Sequence, residues 1–233
     1  GKPVYVEKPM TVSAGSAKRM LAAAVNSGIK LCVAHYRKAQ PRFRKLKALL
    51  EQGAIGEPRL INLQLVQPPV QASPENWRLD PKQSGGGLFH DLSPHQLDLL
   101  QYFFGTPEHV TGVAINQGGF YAADDLVAGT IRFSSGAVAN VSWCFTGPMN
   151  FSRDLVEIYG SKGRISFSVF STHHFEISNP DGDHKIEFDE LPHVQQPMIE
   201  QVVRYFRGDG PNPSSADDAV TTKTEYFTSG AKT

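Results

Sequence analysis

The sequence predicts a mixed α/β (α+β) fold: a short parallel βαβ unit leading into a large, mostly antiparallel open sheet flanked by helices. Three observations predict it. The apolar pattern opens as strand, helix and buried strand, changes in the middle of the chain to short strand-like runs separated by turn signals, and returns to helical spacing at the end. With 233 residues, 40% of them hydrophobic, the chain is long enough for a core without disulfide or metal staples.

The elements follow in order. Pro3 to Glu7 is a β-branched and aromatic run closed by a turn at Pro9, which reads as a strand. Ser13 to Ser27 places Ala17, Met20, Leu21, Ala24 and Val25 at helical spacing and stops at Gly28. Leu31-Cys32-Val33-Ala34 is continuously apolar, as in a strand buried on both faces. Two parallel strands do not make a domain, so their cover must come from elsewhere. Without it, the segment before Ala34 is expected to expose apolar faces and edges, and to self-associate or open locally.

A second helix is expected from Lys38 to Gln52, with Phe43, Leu46, Leu49 and Leu50 on one side. Arg37, Lys38, Arg42, Arg44, Lys45 and Lys47 can form an anion patch, but the core-spaced apolar residues among them favour a solvated helix face. Pro58 to Val66 alternates as a strand, and the polar stretch to Gly87 reads as a long loop. Ser93-Pro94 reads as a cap and first-turn proline of a helix ending at Gly105. Strands are then expected at Val110–Asn116, Leu126–Phe133, Ala137–Phe145, Leu155–Tyr159, Arg164–Phe167, Phe175–Ser178 and Lys185–Phe188, with closing helices over Gln196–Arg207 and Ser215–Ser229.

Composition removes several function classes. The 23 basic and 23 acidic residues balance, which argues against a nucleic-acid or anionic-membrane partner. The longest apolar run, Met20 to Val25, is too short to span a bilayer. Cys32 and Cys144 are too few and too far apart for a disulfide framework or zinc ribbon, so a reducing, cytoplasmic setting is expected. Neither a G-x-S-x-G elbow nor a P-loop occurs. The chain opens on Gly1-Lys2-Pro3 with no initiator Met, and is expected to be the later portion of a longer protein.

Three places can carry chemistry. Lys8 in Glu7-Lys8-Pro9 lies at the carboxyl end of a parallel strand, where open α/β sheets bind ligands, although a lone lysine there is often only solvated. Asp91 and His95 are four residues apart at the entrance to a helix. If His95 lies in the first turn, the helix dipole disfavours the imidazolium and leaves a ring able to accept a proton, while Asp91 either orients it, bonds a substrate hydroxyl, or merely caps. The run Gly85-Gly86-Gly87 tilts the choice towards a site, because glycines allow close backbone approach or positive φ. A rival reading makes His90, Asp91 and His95 metal ligands, but no further ligand or HExxH pairing accompanies them, so no metal is assigned. The third place is Trp77-Arg78 in the long loop.

Taken together, the motifs Val6-Glu7-Lys8-Pro9-Met10, Val33-Ala34-His35-Tyr36-Arg37, Ala54-Ile55-Gly56-Glu57-Pro58, Trp77-Arg78, Gly85-Gly86-Gly87 with Asp91 and His95-Gln96-Leu97-Asp98, and Tyr159-Gly160-Ser161-Lys162-Gly163 stand in one order. In that order the chain resembles the Gfo/Idh/MocA family of NAD(P)-dependent sugar oxidoreductases, nearest the branch that includes 1,5-anhydrofructose reductase. The resemblance implies that residues 1–36 are the remnant of a Rossmann dinucleotide-binding domain and 37–233 a substrate-binding and oligomerisation domain. It implies catalytic roles for Lys8, His95 and Asp91 and a cofactor side formed by Glu7, Lys8, Pro9 and Arg37. It further implies sugar contacts from Tyr36, Trp77, Arg78, Asp91 and His95. The implied cofactor is NAD or NADP, the implied partners are a sugar substrate and further copies of the chain through the open sheet face. The G-x-G-x-x-G fingerprint is absent from these residues, so a non-catalytic sugar-binding or assembly module is the competing expectation.

Overall fold

The structure, a computed structural model, describes residues 1–71, 73 and 76–221. Strands β1 (Val4–Val6) and β2 (Leu31–Val33) pair in parallel through helix α1 (Ala14–Ser27), with Val4 opposite Leu31 and Val6 opposite Val33. The Ser13 hydroxyl accepts from the Ser16 N–H at 3.2 Å at the start of α1, and Gly28 ends it at φ 62°, a conformation that costs a glycine little. After a 3-10 turn at Arg37–Ala39 comes α2 (Pro41–Glu51), with Pro41 rather than Lys38 opening the helix.

Next come β3 (Pro58–Val66), a 3-10 turn at Trp77–Leu79, the short α3 (Pro81–Ser84) and α4 (Gly87–Phe104). The strands β4 (Pro107–Ile115), β5 (Leu126–Phe133), β6 (Val138–Cys144), β7 (Arg153–Gly160), β8 (Arg164–Phe167), β9 (His174–Asn179) and β10 (Gly182–Glu187) follow. Helices α5 (Gln196–Arg207) and α6 (Ala216–Thr221) come last; the remainder of the second expected closing helix lies outside the described residues.

The eight-stranded sheet has the order β10-β9-β8-β7-β3-β6-β5-β4. β3 runs parallel to β6, and every other neighbouring pair is antiparallel. Period-2 alternation sends Ile61, Leu63 and Leu65 to one face, where with Trp143, Val156 and Ile158 they pack against Phe43 and Leu46 of α2 and Phe89, Leu100 and Phe103 of α4. The alternate positions, including Leu60, Gln64, Thr130 and Asn140, line an open face.

The small parallel pair finds its cover in α5, α6 and the segment between them. Leu31 and Val33 cluster with Ala17 and Ala24 of α1 and Ala216 and Ala219 of α6. Cys32, which alternation points the other way, packs with Met198 and Val202 of α5. The Asn212 side-chain amide donates to the Leu31 carbonyl at 2.8 Å, and the Val33 N–H to the Ser214 carbonyl at 3.0 Å. The bare apolar faces expected before Ala34 are therefore covered, because residues some 180 positions away return to them.

Two local expectations are corrected. Helix α4 begins at Gly87, so Ser93 does not cap it and Pro94 sits inside it. The side chain that serves its N-terminus is Ser84, whose hydroxyl accepts from the N–H of Gly87 at 2.9 Å and of Gly86 at 3.3 Å. The basic run is also more than a solvated face: Lys38 and Arg42 are buried, and each holds polar groups of distant segments.

Candidate active site

Asp91, His95 and Asp98 recur at i, i+4 and i+7 and so share one face of α4. The chain segments that follow β1 and β2 meet this face. Lys8, two residues beyond β1, donates from Nζ to the Asp91 carboxylate and to the Asp91 carbonyl, both at 2.8 Å. Its side chain is 12% exposed and that of Asp91 28%. Arg78 approaches the same carboxylate from the other side, Nε 3.3 Å from Oδ2, with its guanidinium 4.9 Å from the Trp77 ring centroid. One carboxylate is thus shared by two cations. The Lys8–Pro9 peptide is cis.

His95 is buried between rings. Tyr36 meets it edge-on at 5.2 Å between centroids and Phe170 at 5.9 Å. Its Nδ1 is buried without a hydrogen-bond partner among the described residues. Burial holds its pKa well below the ordinary histidine value, and the charges of Lys8, Arg37 and His35 push the same way. The neutral ring expected from the helix dipole has a different cause here. Because α4 starts at Gly87, His95 lies in its third turn, beyond the reach of the N-terminal dipole.

Behind His95 lies a second polar cluster. Lys38 Nζ is 2.8 Å from Asp98 Oδ1, and His35 Nδ1 is 3.5 Å from the same oxygen. All three are buried. Desolvation lowers the pKa of His35 against the opposing pull of Asp98. The Lys38–Asp98 pair therefore ties the segment after β2 to the helix that carries Asp91 and His95.

The remaining sequence candidates divide. Tyr36 is half-buried against His95, whereas Trp77 is an exposed rim residue. Glu7 is exposed, its carboxylate accepting from the Lys8 N–H at 3.3 Å, and Pro9 is half-buried at the turn. Arg37 is committed elsewhere, donating from Nη1 to the Val169 carbonyl at 2.7 Å and stacking 4.5 Å from the Phe170 centroid. The glycine run is explained by the chain itself. Gly85 and Gly87 take φ of 86° and 71°, and a Cβ on Gly86 would lie 2.8 Å from the His90 ring. His90 and His95 are about 140° apart around the helix axis. Among the described residues no group of three or more His, Cys, Asp or Glu is placed to hold a metal ion.

His35, Lys38, Asp98 and Phe170 were not anticipated as site residues. His35 and Asp98 stood inside recognisable motifs, and Lys38 inside the basic run, but nothing local to Phe170 signals its place beside His95.

The family model for the GFO/IDH/MocA C-terminal domain matches residues 43–166. Oxidoreductase P35 of Formosa agariphila is 35% identical over 224 residues, covering 94% of this chain and 68% of the relative. The 1,5-anhydro-D-fructose reductase of Ensifer adhaerens is 28% identical over 170 residues, covering 71% of this chain and 49% of the reductase. A levoglucosan dehydrogenase solved with NADH and levoglucosan has the same fold, with a TM-score of 0.83 at 22% identity over 98% of this chain and 71% of the dehydrogenase. A relative named as a sugar reductase thus shares its sequence, and a dehydrogenase solved with NADH shares its fold. The chain belongs to the GFO/IDH/MocA family.

Proposed function

We propose that this chain is the C-terminal portion of an NAD(P)-dependent oxidoreductase acting on a sugar or sugar-like polyol. The observation that carries the reading is the meeting of Lys8 and Asp91, 83 residues apart in sequence, at 2.8 Å beside a buried His95 with a depressed pKa. A nicotinamide nucleotide, when bound, supplies or accepts the hydride. The residues present suit its reacting end only: Lys8 lies at the carboxyl end of β1, but the glycine-rich cradle for a pyrophosphate is not among the 233 residues.

On this reading His95 takes the proton of the reacting hydroxyl in oxidation and returns it in reduction, and the Lys8 ammonium donates to the same oxygen. Such proton transfer typically contributes ~10²- to 10⁴-fold. Asp91 holds Lys8 and Arg78 in place and can accept from a sugar hydroxyl. Tyr36, Trp77 and Arg78 offer ring faces and donors to the sugar. Glu7, Lys8 and Pro9 form the cofactor side, and Arg37 is assigned to the wall behind His95. Residues 1–36 act as the remnant of the dinucleotide-binding domain and 37–233 as the substrate domain, in a cytoplasmic protein that self-associates through the open sheet face. Exposed Val113, Ile115 and Leu60 on that face support self-association.

In a full-length protein, Lys8→Ala is expected to lower kcat by ~10²-fold or more. Unchanged turnover would remove its role. The competing non-catalytic module rests on the missing fingerprint. Calorimetry of the 233-residue chain with NAD(H) and NADP(H) separates the two, since tight dinucleotide binding excludes the module.

A further inference from the structure

We propose that Phe170 is a positioning residue for His95, held against the imidazole by a clamp formed by Asp154 and Arg42. The inference rests on the acid/base role proposed for His95. Residues 168–172 join β8 to β9, a task that a plain turn could perform. Instead, the segment is held from both sides. Asp154 of β7 accepts from the backbone N–H of Val169 at 3.1 Å, of Phe170 at 2.6 Å and of Ser171 at 3.1 Å, and from the Ser171 hydroxyl at 3.2 Å. Arg42 of α2, 6% exposed, donates to the carbonyls of Val169 at 2.7 Å, Ser168 at 3.3 Å and Thr172. Arg37 donates to Val169 as well.

A carboxylate on the amides and two guanidinium groups on the carbonyls leave the backbone little freedom, since each charged hydrogen bond is roughly twice as strong as a neutral one. The product of this restraint is a ring placed 5.9 Å from His95 and 4.5 Å from the Arg37 guanidinium. Phe170 therefore keeps water from one side of the imidazole while Tyr36 covers another, and it holds the Arg37 charge in a fixed stack. The charged and titratable groups around His95 are Lys8 beyond β1, His35 and Arg37 beyond β2, and Asp91 and Asp98 on its own helix. Dry surroundings and fixed cations favour the neutral, proton-accepting ring.

The test is an NMR titration of the His95 imidazole in the 233-residue chain, its resonance assigned by its loss in His95→Asn. Phe170→Ala is expected to raise the midpoint towards 6.5 by about one pH unit. Phe170→Leu, which keeps an apolar cover, should raise it by much less. Asp154→Asn should raise it through the loop, whereas Val25→Ala, exposed on α1, should leave it alone. An unmoved midpoint in Phe170→Ala, an equal rise in Phe170→Leu, or a comparable rise in Val25→Ala overturns the proposal. Should Phe170→Ala fail to fold, an unmoved midpoint in Asp154→Asn does so. Because the readout is protonation, a failure of His95 to matter for turnover would sink the acid/base reading and leave the titration result standing.

Discussion

The β1–β2 unit and the eight-stranded sheet are held together by different means. The large sheet buries bulky side chains at one place: Trp143, Phe133, Phe145 and Phe175 are all at most 1% exposed, and most come from strands that neighbour one another in sequence. The small unit buries mainly alanines, Ala17, Ala24, Ala216 and Ala219, around Met10, Leu31 and Val33. Alanines allow helices to come close but remove little apolar area from water. Polar ties supply the rest. The Lys30 ammonium donates to the carbonyls of Tyr205 and Phe206 at the C-terminal end of α5, at 2.7 and 3.1 Å, and Lys38 pairs with Asp98. The lesson is that the candidate site straddles a strong body and a slight one. Asp91 and His95 belong to the first, and Lys8 to the second.

The largest effect is expected at Trp143. Its ring is fully buried against Phe89, and its Nε1–H donates to Gln96 Oε1 at 2.6 Å. Trp143→Ala is expected to cost about 3–5 kcal/mol in urea unfolding and to take the small unit down with the large one. A small unit that outlived the sheet would contradict its dependence. Asp98→Ala leaves the Lys38 ammonium buried and unpaired, at a cost of about 3 kcal/mol, whereas adding Lys38→Met should recover most of it. A double-mutant cycle showing no recovery would remove the pair as the tie between the bodies.

Acid should loosen the same seam. His95 and His35 both have folded pKa values below 6.5, so between those values and 6.5 the unfolded chain binds more protons and stability rises with pH. Their contribution is fully present above 6.5 and is lost as pH falls below it, by about 1.4 kcal/mol per pH unit for each ring. His95→Asn should flatten that slope, and unfolding midpoints measured from pH 7.5 to 5 check it. The smallest effect belongs to the small unit alone. Ser13→Ala removes the α1 cap, costing about 1 kcal/mol, and should speed amide hydrogen exchange in α1 while leaving β5 and β6 unchanged.

How much was legible depended on the range of the interaction. β3, β5 and β8 run where alternation placed them, and α1 has the expected stop, because pattern and cap are local. Helix α4 starts earlier than its composition predicts. Ser93-Pro94 has the composition of a helix entry, but Ser84 and the glycines begin the helix two turns earlier, which leaves Pro94 inside it. Motif and position single out Lys8, Asp91 and His95, but neither the 2.8 Å contact of Lys8 with Asp91 nor the Phe170 wall beside His95 is legible, since both join segments 75 or more residues apart.

By itself the sequence determined the order of strands and helices, the balanced charge, the family and the residue types able to move a proton. Only the tertiary structure decided that α5 and α6 cover the β1–β2 unit, that burial rather than a helix dipole keeps His95 neutral, and that Asp98 anchors Lys38. The reason is physical. Periodicity and caps are set by neighbours within a turn or two, whereas desolvation and charge pairing depend on which distant surfaces exclude water from the same place.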